Sequence, residues 1–172
     1  QVTISVSCFI PKPFTPFQWE AQDTFEMLEE KQEHLRNSIP DRKIRYPYHD
    51  AKTSRIEAVL ARGDRRLAPA LELAAKEGFA FDSWDECFDY DKWISVFERT
   101  GVDPAFYANR RFGLDEVLPW DIIDCGVTKE FFLRERHRAY AETTTRNCRE
   151  TCNGCGANQL GGERSCCPGL KK

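Results

Sequence analysis

No apolar run in this 172-residue chain approaches the roughly 18 residues that a membrane helix needs, so a membrane partner is not expected. An excess of one charge is also missing. The 25 basic and 28 acidic side chains leave a net charge of −3, which argues against a wholly basic nucleic-acid binder. The sequence has no P-loop, no glycine pattern of a dinucleotide-binding turn and no Ser/His/Asp arrangement. No internal repeat or low-complexity linker divides it. Methionine occurs once, at Met27, and the first residue is Gln1. There is no charged segment leading into an apolar one, as a secretory leader would require. The opening residues instead read as a strand from the inside of a fold, so the chain is expected to be a fragment of a longer, cytoplasmic protein.

What is present describes a globular chain. Hydrophobic residues make up 41% and charged residues 31%, a balance that can bury a core. Eight cysteines fall short of the roughly 8–10% that marks a disulfide scaffold.

Val2, Ile4, Val6, Cys8 and Ile10 alternate with Thr3, Ser5, Ser7 and Phe9, which predicts a strand with Cys8 turned inward. Pro11, Pro13 and Pro16 then demand an extended loop, and its aromatics Phe14, Phe17 and Trp19 read as a lid or plug. Asp23 with Glu26 predicts a helix start, with Phe25, Leu28, Gln32 and Leu35 on one face. Ile44, Tyr46 and Tyr48 predict a second short strand. Ser54 and Glu57 form a capping box for a helix that Gly63 interrupts and Gly78 ends. Helices are further predicted at 89–100, from Asp103-Pro104, and from Thr128 to about residue 142.

The strongest chemical signal is Cys148-Arg-Glu-Thr-Cys152-Asn-Gly-Cys155. Three thiols at this spacing can wrap a compact centre, with Gly154 and Gly156 turning the backbone around it. Zinc would need a fourth ligand, from Cys166, Cys167 or Cys125, or less readily His137. An iron–sulfur cluster could use three thiolates or recruit a fourth. The fourth position is assigned to Cys166. Disulfides or free thiols are the plainer alternative. The segment from Cys148 to Lys172 holds five cysteines, five glycines and no aromatic residue, so something other than burial must order it.

Other constellations are weaker. His49 and Asp50 follow a strand end, where α/β barrels build their sites. A surface histidine beside a turn-forming aspartate is the preferred reading on sequence alone. Residues 42–66 carry eight basic and three acidic side chains. RNA contact through Arg62, Arg65 and Arg66 is weighed there against an ordinary solvated helix face. Asp121 and Asp124, after Trp120, are assigned capping and turn roles.

The stretch Ser5-Val-Ser-Cys-Phe-Ile-Pro-Lys-Pro-Phe-Thr-Pro-Phe-Gln-Trp19 resembles the late-barrel strand and loop of radical S-adenosylmethionine (radical SAM) enzymes, among them methylthiotransferase-like members. Tyr48-His49-Asp50, Ala61-Arg-Gly-Asp-Arg-Arg66, Phe88-Asp-Tyr-Asp91, Asp103-Pro-Ala-Phe-Tyr107 and Leu118-Pro-Trp-Asp121 are similar to one uncharacterised subfamily. So are Gly126-Val127 and the Cys148 cluster. That subfamily joins a cobalamin-binding-type domain to a radical SAM barrel. The resemblance implies an α/β parent with a partial β/α barrel, an open four-iron four-sulfur cluster and bound S-adenosylmethionine, and leaves cobalamin open.

The cysteine spacing at 148–155 equals the radical SAM signature, but in the family that signature follows the first barrel strand. Here it follows a late one, so it is read as a second site, for zinc or an auxiliary cluster. The catalytic cysteines are expected upstream of this chain. The expected organisation is the end of the barrel at 1–50, a helical extension at 51–147 and a Cys-rich metal-binding tail at 148–172. The missing N-terminal part is the first expected partner. The alternative function is a zinc-stabilised RNA- or protein-binding module.

Overall fold

The computed structural model describes residues 2–39 and 43–159. They form a mixed, mostly helical fold with a small parallel sheet. The chain divides into two compact units, one built from residues 2–11 and 20–111, the other from 12–19 and 112–159.

The first unit opens with a β-α-β crossover. β1 (Val2–Thr3) pairs in parallel with β2 (Ile44–Arg45), with Val2 opposite Ile44 and Thr3 opposite Arg45. Helix α1 (Phe25–Ser38) lies between them in sequence. The pairing runs past the formal strands: Ile4 N–H donates to Arg45 O at 2.8 Å, Val6 N–H to Pro47 O at 3.2 Å, and His49 N–H to Val6 O at 3.2 Å. With period two, Val6 and Cys8 share a face with Tyr46 and Tyr48, while Thr3, Ser5 and Ser7 fall on the other face with Arg45. The first face meets α1. Gln32 Nε2 lies 3.3 Å from Cys8 Sγ and donates to His49 O at 2.7 Å, and Arg36 donates to the Tyr48 hydroxyl at 2.8 Å. Burial pushes the Tyr46 phenol up. Cys8, expected to be a core residue, is half-buried and donates weakly to His49 O.

Helices α2 (Ala51–Arg62), α3 (Ala68–Lys76), α4 (Tyr90–Thr100) and α5 (Pro104–Ala108) supply the core. Ile56, Val59, Ala70, Val96, Phe97 and Ala108 are at most 3% exposed, and each large apolar side chain buried this way contributes about 1.5–3 kcal/mol. Several boundaries follow from local chemistry. Asp89 and Asp103 cap α4 and α5, and Gly101 ends α4 at φ 68°. Two differ from expectation. Thr24, not Asp23, caps α1, because Asp23 pairs with Lys31 at 2.5 Å. Asp50, not Ser54, caps α2, accepting from the N–H groups of Lys52 and Thr53. Ser54 is instead fully buried one turn inside that helix.

The second unit packs Trp19, Phe112, Leu118, Trp120 and Phe132 together. Trp19, expected in a lid or plug, is completely buried, whereas Phe17 stays exposed. Gln18 organises this core: its Oε1 accepts from Trp120 Nε1 at 2.6 Å and from Phe14 N–H at 3.1 Å. Helix α6 (Lys129–Tyr140) starts at the expected cap, Thr128. No helix among the described residues is long and apolar enough to cross a membrane.

Candidate functional site

Parallel strands build ligand sites at their C-terminal ends. In this chain that end is Tyr48-His49-Asp50. His49 Nδ1 lies 2.8 Å from Ser54 Oγ, and the same oxygen lies 2.8 Å from Asp50 O. A hydroxyl has one proton. Both contacts are hydrogen bonds only if Ser54 donates to the Asp50 carbonyl and accepts from an Nδ1–H on His49. The neutral imidazole then carries its lone pair on Nε2, which has no hydrogen-bond partner among the described residues. A buried serine thus sets the tautomer of a half-buried histidine.

His49 lines a cavity of about 460 Å³ with Ile56, Glu57, Phe81, Asp82, Phe88 and Trp93 among its walls. Trp93 is 5% exposed, and its indole N–H has no hydrogen-bond partner. The position of His49 past a strand end was legible in the sequence. The unsatisfied indole was not, since Trp93 reads there as one more apolar position of an amphipathic helix.

The cysteine segment belongs to the second unit. Asn147 caps its first turn, accepting from Arg149 N–H at 3.0 Å, and Asn153 Nδ2 donates to Arg146 O at 2.8 Å. Arg134 donates to Asn153 O. Thr128 N–H donates to Cys155 O at 2.9 Å, which ties the loop to residues 126–128. Gly156 has φ 98°, and a Cβ there would sit 2.9 Å from Thr128 Cγ2, so two independent constraints require glycine. Cys148 is exposed, and Cys125, Cys152 and Cys155 are half-buried.

Cys166 lies outside the described residues, as does Cys167. The described residues bring together no group of three His, Cys, Asp or Glu side chains able to hold a metal ion. The donor chemistry suits zinc or iron, but the described residues alone do not form a metal centre.

The remaining candidates are structural. Asp121 accepts from Leu118 N–H at 2.9 Å and Asp124 from Gly126 N–H at 2.7 Å, the expected turn roles. Arg62 is fully buried, which removes it from the basic stretch considered for RNA. Arg66 is paired with Asp64 at 2.5 Å, and its guanidinium lies 5.0 Å from the centre of the Phe106 ring.

No family profile matches the chain. Its sequence is similar to an uncharacterized protein of Methanocaldococcus jannaschii, 28% identical over 102 residues, which is 59% of this chain and 22% of that protein. The matched stretch thus spans about a fifth of that relative's length. No solved structure matches.

Proposed function

We propose that this chain is the C-terminal part of a radical SAM enzyme. In this reading residues 1–50 are the end of the β/α barrel, residues 51–147 form a helical extension and the cysteine segment at 148–172 is a second centre. The observation that carries the proposal is the parallel β1–α1–β2 unit. One strand face is apolar and meets α1 at Cys8 and Tyr48, and the other bears Thr3, Ser5, Ser7 and Arg45. A barrel needs this division: helices outside, and a polar lining where the lumen holds a ligand instead of a packed core. The exposed apolar side chains Val2 (59%) and Ile4 (38%) lie on that same apolar face and fit a surface that a further helix of a larger barrel would cover.

The cofactors, S-adenosylmethionine and a four-iron four-sulfur cluster, would supply the radical chemistry. The cysteines for that cluster are expected upstream, so this chain's part is to wall the site and exclude water. The test is the whole protein, reconstituted anaerobically and given a strong reductant with S-adenosylmethionine. Formation of 5′-deoxyadenosine, lost when the upstream cysteines are changed to serine, is expected. An intact cluster that yields none overturns the proposal.

A further inference from the structure

We infer that the loop between α3 and α4, with the groove that it lines, docks a basic segment of a partner protein through Phe81 and Trp84. Exposure, order and charge each point there. Phe81 is 76% and Trp84 61% exposed, whereas Trp19, Trp93 and Trp120 are at most 6% exposed. Large aromatic side chains offer a partner much apolar surface to bury, and tryptophan is enriched among the residues that dominate binding. The loop holds both rings on a fixed frame. Trp84 N–H donates to Phe81 O at 2.9 Å and Phe88 N–H to Trp84 O at 3.0 Å, while Phe79 and Phe88 pack its two ends against the core. Phe81 has φ 60°, an uncommon backbone for a bulky residue. A frame set before contact lowers the ordering cost of binding. Phe81 also lines the groove of about 460 Å³ together with Leu60, Phe88 and Asp82, where an apolar side chain of the partner can seat. Charge selects that partner. Residues 79–91 carry five carboxylates and no basic side chain. Asp89 caps α4 and pairs with Lys92 at 3.5 Å. The carboxylates of Asp82, Asp85 and Glu86 have no hydrogen-bond or ion-pair partner among the described residues. Lysine and arginine side chains complement these carboxylates and stack on an exposed indole. The phosphates of a nucleic acid or of an anionic membrane are repelled.

This inference does not rest on the radical-enzyme reading, because docking is read by tryptophan fluorescence and not by 5′-deoxyadenosine formation. The experiment is fluorescence titration of the whole protein with three synthetic peptides of equal length. One is an amphipathic peptide of leucine and lysine, one has glutamate in place of each lysine, and one has serine in place of each leucine. The leucine–lysine peptide is expected to bind saturably and to shift tryptophan emission to the blue, a shift absent in Trp84→Phe. Its binding is expected to weaken as salt is raised. Phe81→Ala and Trp84→Ala are each expected to weaken it about tenfold without lowering the melting temperature, since both side chains are exposed. Changing Asp82, Asp85 and Glu86 together to lysine is expected to turn the preference to the glutamate peptide. Failure of the leucine–lysine peptide to bind overturns the inference, as does equal affinity for any two of the peptides or wild-type affinity in both alanine variants. Self-association of the wild type that Trp84→Ala abolishes overturns it as well, by making a second copy of the chain the occupant.

Discussion

The guanidinium of Arg62, fully buried, donates to the main-chain oxygen of Ala108 at 2.8 Å. It also donates to Tyr107 O, and to Arg110 O at 2.5 Å. One side chain from the end of α2 thereby satisfies three carbonyls where α5 ends and the chain leaves it. Stranding a buried acceptor costs about 1–3 kcal/mol, so Arg62→Met is expected to lower the unfolding free energy by at least about 2 kcal/mol in urea titration. Arg66→Glu, on an exposed side chain, is expected to cost about 1 kcal/mol or less. A charge reversal at Arg62 therefore reports on folding and not on RNA contact.

Gly63 is a steric requirement and not a conformational one. Its backbone is extended at φ −70° and ψ 163°, open to any residue. An added Cβ, however, would lie 2.0 Å from Leu67 Cδ1 and 3.0 Å from Val59 O. Leu67 is 4% exposed and has little room to move. Gly63→Ala is expected to destabilise by about 1–3 kcal/mol. The double variant with Leu67→Ala should cost less than the sum of the two single changes, as a double-mutant cycle would measure.

Asp64 gives a pH dependence of known sign. The side-chain hydrogen bond from Arg66 holds its carboxyl below the usual aspartate range. A group depressed in the folded state stabilises above its unfolded value of about 3.9, and that contribution is lost as pH falls through the folded value. Its effect is therefore constant near neutrality and fades below about pH 4. Asp64→Asn is expected to flatten the acid limb of a stability–pH profile while leaving its slope near neutrality unchanged.

The cysteine segment makes a compositional prediction. Under the proposed function, whole protein purified anaerobically is expected to contain a metal centre that is lost in Cys152→Ser with Cys155→Ser. Iron with sulfide and a brown chromophore would identify an auxiliary cluster. Colourless zinc would identify a structural clasp. Equal metal content in wild type and variant would remove the site.

Helix ends were legible where one residue acts on its own neighbours. Asp89, Asp103 and Thr128 cap, and Gly101 stops, because an N–H within three residues or a left-handed backbone is a local matter. The start of α2 was misread because Ser54 has the right spacing for a cap but is occupied by His49. Arg62 carried a signal in its spacing: it lies three residues after Val59 and four after Ala58, on the buried stripe of α2. Charge alone placed it on the surface.

The sequence by itself determined the order of the elements, the caps of α4, α5 and α6 and the alternation of the two strands, because these depend on contacts a few residues apart. Only the tertiary structure decided that Trp19 belongs to a core, that Arg62 is buried and that the Trp93 indole N–H is buried without a partner. Those facts depend on residues that meet across tens of positions. Burial and hydrogen-bond satisfaction are properties of such meetings, and no local pattern encodes them.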